Sequence, residues 1–194
     1  TGRLFLLWRR EVETFEVRIK GTRPLLQHSP LGLIKTRERG SGIPEPEVEA
    51  EAGLYRTAQG VIYQPAQHIL SALKRVGTDY KVPGKARKTF QSYIFAGISI
   101  QPLQIPLLGG ENGEAPTYEI DLQPAVIQRA RIMRSRPRFD QWALEFQLGI
   151  LDPIIPPEVA RQLLVDAGKF AGLGDYRPLF GLFELERFEA VEQS

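Results

Sequence analysis

Two segments of the chain place a large apolar residue at every second position, and the first of them alternates strictly between apolar and polar residues. In TFEVRIK, residues 14–20, every second residue is apolar, and DQWALEFQLGIL, residues 140–151, repeats the pattern from Trp142 to Ile150. Successive side chains of a strand point to opposite faces, so each pattern predicts a half-buried strand. Residues 126–136 and 180–190 are predicted as two further strands, and 126–136 is expected to form a hairpin with 140–151 through the turn RPRFDQ.

Two other segments repeat apolar residues at helical spacing. Residues 65–77 begin with Pro65, a favourable first helical residue, and end at Gly77. Residues 156–168 begin with prolines and end at Gly168. Each segment carries one apolar face, so both are predicted as helices that pack on a core.

The order of these elements is strand, helix, strand, strand, helix, strand. That order is typical of an α+β fold of the ferredoxin-like (RRM-like) βαββαβ type. The 194 residues are expected to form a single domain, 1–194. Glycine- and proline-rich inserts are predicted at 21–64 and 78–124.

The open face of this predicted sheet is polar and lacks an aromatic pair. RNA-recognition motifs stack bases on aromatic residues at that place, so base stacking on the sheet is not expected. Any binding should instead come from loops and inserts. The residues predicted on the open face are Glu16, Arg18, Lys20, Glu145, Gln147, Glu184 and Glu186.

Composition narrows the class of protein. There is no cysteine, which excludes disulfides and cysteine-based zinc sites. The apolar runs are shorter than the ~20 residues that cross a bilayer, and no signal peptide follows residues 1–8. We expect a soluble cytoplasmic protein without a membrane partner.

Charge is unevenly distributed, although the formal net charge is only +2. Basic residues concentrate in three stretches, Lys20–Arg39, Lys74–Lys88 and Arg129–Arg138, and the last holds five arginines. The C-terminal FELERFEAVE is acidic. Basic stripes of this kind are typical of phosphate-binding surfaces, and the alternative is a solvated charged face.

The segment AGLGDYRPLFGLF, residues 171–183, is unusually rich in glycine. The backbone N–H groups of Gly172 and Gly174 could donate hydrogen bonds to a phosphate that approaches closely. Arg177 could add a bidentate phosphate contact, and Tyr176 a stacking surface. The alternative is that these glycines only end a helix and turn the chain.

Together with GVIYQPAQHILSALKRVG at the first helix, this loop resembles the RAMP superfamily of CRISPR-associated proteins, most closely the backbone subunits. The resemblance implies a non-catalytic RNA-binding subunit that coats a guide RNA. Its implied partners are single-stranded guide RNA, complementary target nucleic acid, further copies of the chain along the RNA and other effector subunits. Residues 78–124 would form a thumb-like insert that touches a neighbouring copy.

The segment 84–95, GKARKTFQSYIF, is predicted as a basic helix with an apolar face. The sequence places Phe90, Tyr93, Ile94 and Phe95 beside a group of cations. Exposed apolar surface of this kind usually marks a partner contact, so we expect the next copy of the chain to pack on residues 78–96.

Two alternative functions stay open. The resemblance also covers metal-independent endoribonucleases that process guide RNA, in which His28 would be the general base. A protein-interaction module without nucleic acid is the third possibility. No P-loop, dinucleotide fingerprint or metal-ligand spacing occurs, so no cofactor or metal is expected.

Nucleic-acid contacts are predicted in all three basic stretches, at His68 of the first helix and in the glycine-rich loop. They are Lys20, Arg23, His28, Lys35, Arg37, Arg39, His68, Lys74, Arg75, Lys81, Lys85, Arg87, Lys88, Arg134, Arg136, Arg138, Gly172, Gly174, Tyr176 and Arg177.

Overall fold

The computed structural model describes residues 12–30, 32, 34, 45–109, 114–127 and 130–191. Strands make up most of the regular structure in these ranges. They are β1 (Glu13–Gly21), β2 (Leu25–Leu26), β3 (Tyr63–Pro65), β4 (Ile98–Gln101), β5 (Gln104–Leu108), β6 (Glu119–Ile127), β7 (Ala130–Phe139), β8 (Ala143–Ile150) and β9 (Phe183–Ala190).

The helices are short, and the two longest lie where the apolar periodicity predicts them. They are α1 (Pro46–Ala52), α2 (Ala66–Val76), α3 (Ile94–Gly97) and α4 (Pro157–Asp166). A single 3₁₀ turn spans Phe90–Ser92, and a π-helical turn, Ala167–Ala171, follows α4.

The main sheet confirms the predicted α+β, ferredoxin-like fold class. β1 pairs antiparallel with β8 on one side and β9 on the other. The free edge of β8 is covered by β4 and then by β5, as two parts of one interrupted strand. With β4–β5 counted as the second core strand, the sheet order is fourth, first, third, second.

The predicted hairpin between 126–136 and 140–151 is wrong. β7 pairs with β6 along its whole length and with β2 at its end, in a separate three-stranded sheet. The second core strand instead comes from 98–108, inside the predicted insert 78–124. Pro102, which has no N–H to donate to a ladder, interrupts that strand and hides it in the sequence.

The predicted basic helix at 84–95 is also wrong. Residues 77–89 form a loop made of consecutive turns. Only single helical turns follow this loop. Phe90 and Ile94 are fully buried in the protein's own core, so they are not available to a neighbouring copy, whereas Phe95 is 52% exposed.

α2 and α4 pack their apolar faces onto the sheet and complete the core. Ile69 and Leu73 of α2, and Leu163 of α4, join Val17 and Leu144 of the sheet in one buried cluster. The opposite sheet face carries ion pairs, as its polar pattern predicts. There, Arg18 contacts Glu145 at 2.5 Å and Glu186 at 2.8 Å.

The glycine-rich loop between α4 and β9 lies directly on β2. The N–H of Gly181 donates to the carbonyl of Pro24 at 2.7 Å, and the N–H of Asp175 donates to that of Leu26 at 2.9 Å. Gly174 and Gly181 have φ angles of 74° and 73°. A Cβ would lie 2.2 Å from Leu26 O at Gly174 and 1.9 Å from Leu173 O at Gly181.

These contacts predict that glycine is required at 181 for two separate reasons. Gly181→Ala should lower the free energy of unfolding by about 3 kcal/mol or more, because left-handed strain adds to backbone overlap. Gly60→Ala is the matched control, since Gly60 has a φ of 85° but nothing within 4 Å of a Cβ. It should cost about 1 kcal/mol. Equal losses in urea unfolding would show that the close approach contributes nothing.

Candidate nucleic-acid interface

Five separate parts of the chain bring six predicted or newly observed polar and aromatic residues together. Tyr55 links two of them, because its hydroxyl donates to the carbonyl of His28 at 3.3 Å and its ring lies edge-on to that of His68, 5.5 Å between centroids. The guanidinium of Arg136 lies 4.7 Å from the ring centroid of Tyr176. We call this group the His–Tyr–Arg cluster; it comprises His28, Tyr55, His68, Arg136, Tyr176 and Arg177.

A relay of buried amides fixes the orientation of His68. The N–H of Tyr55 donates to Gln27 Oε1 at 3.1 Å, and Gln27 Nε2 donates to Gln64 Oε1 at 3.0 Å. That leaves Gln64 Nε2 as the donor to His68 Nδ1, 2.7 Å away. Nδ1 therefore accepts, and the neutral imidazole carries its proton on Nε2.

Both histidines have a lowered pKa. Burial lowers the pKa of His68, and the charge of Arg177 lowers it further. Burial also lowers the pKa of His28, with Arg136 and Arg134 adding to the shift and Asp175 and Glu49 opposing it. Each ring is therefore neutral near pH 7, since the ordinary value of 6.5 already lies below that pH.

Arg136 is buried at the centre of the cluster. Its Nε donates to Asp175 Oδ2 at 2.6 Å, and its buried Nη1 has no hydrogen-bond partner in the part of the chain that the structure describes. Tyr176 covers it, with a φ of 52° and a hydroxyl that donates to the carbonyl of Pro124 at 2.8 Å. A left-handed tyrosine is uncommon, and strain of this kind concentrates at functional sites.

In the third basic stretch the structure describes the side chains of Arg134, Arg136 and Arg138, and each of them is paired with a carboxylate of the protein. Arg134 Nε contacts Glu49 Oε1 at 2.5 Å, and the other oxygen of Glu49 accepts the N–H of Ser135 at 2.9 Å. Arg138 contacts Glu119 at 2.7 Å and Asp140 at 2.8 Å. In the first stretch, Lys20 lies 3.9 Å from Glu186.

The glycine-rich loop uses many of its own N–H groups internally. Gly172 donates to the carbonyl of Ala167 at 2.8 Å, and Tyr176 donates to Asp175 Oδ1 at 3.0 Å. Together with the hydrogen bonds to Pro24 and Leu26, these contacts show that the loop packs closely against other backbone. Close packing therefore explains why the loop contains glycines. Arg177 is exposed beside the cluster, and Arg23 Nη1 donates to the carbonyl of Leu179 at 3.3 Å.

The second basic stretch lies apart from the acidic side chains. Among the described residues, no carboxylate lies within 4 Å of its exposed cations. Lys74 lies over the ring of Phe95, with Nζ 4.7 Å from the centroid. The exposed cations are Arg75, Lys81, Lys85, Arg87 and Lys88. Lys35, Arg37 and Arg39 fall outside the described residues.

Sequence patterns indicate the charged members of the interface but miss the groups that position them. Tyr55, Gln27 and Gln64 were not predicted, and neither were the carboxylates of Glu49 and Asp175 as ion-pair partners. A possible signal is the presence of Gln27 directly after the apolar pair Leu25–Leu26, because a buried amide needs hydrogen-bond partners.

Two further classes of site find no support in the part of the chain that the structure describes. That part contains no group of three or more histidine or acidic side chains able to hold a metal ion. None of its helices is long and apolar enough to span a membrane.

A solved structure titled as the Type III-B Cmr-beta bound to cognate target RNA contains a chain of similar fold. The TM-score is 0.61 at 11% sequence identity, and the match covers 93% of this chain and 61% of that one. This chain therefore spans about three fifths of the length of its structural neighbour. No protein-family model and no curated protein matches the sequence. The likeness establishes the ferredoxin-like α+β class of fold.

The pKa of His68 is lowered from the ordinary histidine value of 6.5. We therefore expect the fold to lose stability as the pH falls below 6.5. The unfolded chain then binds a proton that the native ring resists, so stability rises with pH in this window. The melting temperature should decrease when the pH is lowered from 7.5 to 5.5. The decrease should be smaller for the His68→Gln variant. Identical falls in the two proteins would show that His68 carries no such linkage.

Proposed function

We propose that this chain is a non-catalytic RNA-binding subunit that coats a guide RNA in a CRISPR-type effector complex. The convergence of the loop after β2, the first turns of α2 and the glycine-rich loop at the His–Tyr–Arg cluster carries this proposal. The similarity in fold to a chain from an RNA-bound Cmr-beta structure supports it. The proposal includes further copies along the same RNA and other effector subunits as partners.

The cluster offers donors suited to a phosphate or ribose oxygen. Arg177 is exposed and positively charged, and the buried Nη1 of Arg136 has no hydrogen-bond partner among the described residues. His68 carries its remaining proton on Nε2 because Nδ1 accepts from Gln64. Contacts of this kind hold the backbone of a nucleic acid and carry no sequence information directly. Binding should therefore tolerate changes in RNA sequence.

A second candidate function is supported by the state of His28. Its lowered pKa keeps the ring neutral near pH 7, which is the form that a general base requires. The neighbouring Tyr55 has a raised pKa, chiefly through burial, so it keeps its proton. These properties would also suit a metal-independent endoribonuclease.

Binding to single-stranded RNA should depend strongly on salt. With about six phosphates contacted, a plot of log affinity against log salt should have a slope near −4, at roughly −0.7 per contact. Arg177→Ala should make the slope shallower by about 0.7. Arg161→Ala, which removes an exposed arginine on α4, should leave it unchanged. Fluorescence anisotropy with labelled RNAs of different sequence measures both properties.

The same titrations distinguish the alternatives. A slope near zero for the wild type, or binding that requires one RNA sequence, would contradict a phosphate-tracking subunit. RNA that is cut in the presence of EDTA by the wild type, but not by His28→Ala, would replace the proposal with the endoribonuclease. Absence of RNA binding would leave the protein-interaction module.

A further inference from the structure

Positive charge is concentrated at the carboxyl-terminal end of α2 and in the segment that follows it. Residues 74–88, KRVGTDYKVPGKARK, contain six cations and a single carboxylate, that of Asp79. Asp79 accepts from the hydroxyl of Thr78 at 3.4 Å and forms no ion pair within the described residues. Most of the positive charge of this segment is therefore not balanced locally.

The loop that carries these cations has a defined conformation. The N–H of Lys85 donates to the carbonyl of Val82 at 3.1 Å, which closes a turn with Pro83 and Gly84 at its centre. Gly84 has a φ of 72°, as the third residue of a type II turn requires. The N–H of Lys88 then donates to the carbonyl of Lys85 at 3.0 Å.

Buried residues at both ends attach the loop to the core. Val82 is 4% exposed, and its N–H donates to the carbonyl of Lys88 at 2.9 Å. Phe90 is 2% exposed and donates to the carbonyl of Tyr80 at 3.0 Å. The backbone is thus pre-organised, and the cations extend from a fixed frame.

An exposed aromatic ring lies beside the same end of α2. The N–H of Gln91 donates to the carbonyl of Gly77 at 3.1 Å, which ties the following turn to the end of the helix. Phe95 comes one turn later, half exposed and in contact with Lys74. Aromatic rings next to cations serve as stacking surfaces for single-stranded nucleic acids, with little preference for base.

We propose that this surface, the basic loop, is the main phosphate-tracking surface for single-stranded RNA. It comprises Lys74, Arg75, Lys81, Lys85, Arg87, Lys88 and Phe95. The inference rests on the proposed function, because it names where the RNA backbone runs. Arg134 and Arg138 must give up or share carboxylate partners to bind a phosphate, whereas the cations of the basic loop release only counterions.

A pair of matched double variants tests the inference in the full chain with oligo(U) RNA. Arg87→Gln/Lys88→Gln removes one arginine and one lysine from the basic loop. Arg161→Gln/Lys169→Gln removes the same two residue types from exposed positions on and after α4. The first variant should make the salt slope shallower by about 1.4, at roughly 0.7 per phosphate contact, and the second should keep the wild-type slope.

A footprint on the wild-type protein gives a second readout that does not depend on the folding of a variant. Lysine acetylation followed by mass spectrometry should show Lys85 and Lys88 protected by RNA, and Lys169 unprotected.

The outcomes separate this inference from the proposed function. Wild-type binding with an unchanged slope in both variants and no protection at Lys85 or Lys88 would overturn the basic loop and leave an RNA-binding subunit. Absence of RNA binding by the wild type would overturn both. Loop-dependent binding to phosphatidylserine vesicles without RNA binding would assign the surface to a membrane and also overturn both.

Discussion

The backbone-to-backbone contact between the glycine-rich loop and β2 is the constraint on which the candidate interface depends. Gly181 and Asp175 donate to Pro24 and Leu26, at distances that leave no room for a Cβ at Gly174. The contact places Asp175 and Tyr176 against Arg136. The charges of Arg136 and Asp175 both act on the pKa of His28, in opposite directions. The glycines thus fix the position of the site through backbone contacts on the buried side of the loop. The exposed side chains of the loop remain available to a ligand.

Charge pairing divides the basic residues into two groups that look alike in the sequence. Arg134, Arg136 and Arg138 alternate along β7 and face carboxylates at 2.5–2.7 Å, so their charge mainly holds β7 to its neighbours. The lysines and arginines of the basic loop have no such partner in the described part of the chain, and all of them except the half-buried Lys74 are exposed. Unpaired cations on an ordered frame are the ones that attract a polyanion.

Alternation and helical periodicity were sufficient to predict β1, β8, α2, α4 and the class of fold, because each of these elements buries one regular face. They failed at β4–β5, where Pro102 interrupts the pattern, and at β7, whose partners are set by tertiary contacts. The candidate site divides in the same way. The sequence indicates His28, His68 and Tyr176 because their residue types suit nucleic-acid binding. It does not indicate the hydrogen-bond relay through Gln27 and Gln64, which forms only when three distant segments meet.

Photo-crosslinking of the wild-type protein to 4-thiouridine-substituted single-stranded RNA, mapped by mass spectrometry, tests the central claim most directly. The account predicts crosslinks at Tyr176 and Phe95 and in peptides that contain the basic loop. The His–Tyr–Arg cluster and the basic loop lie near opposite ends of α2, since His68 of the cluster is in the first turn of this helix and Lys74 of the loop is in its last. Crosslinks confined to the charged open face of the main sheet, around Arg18 and Glu145, would contradict it.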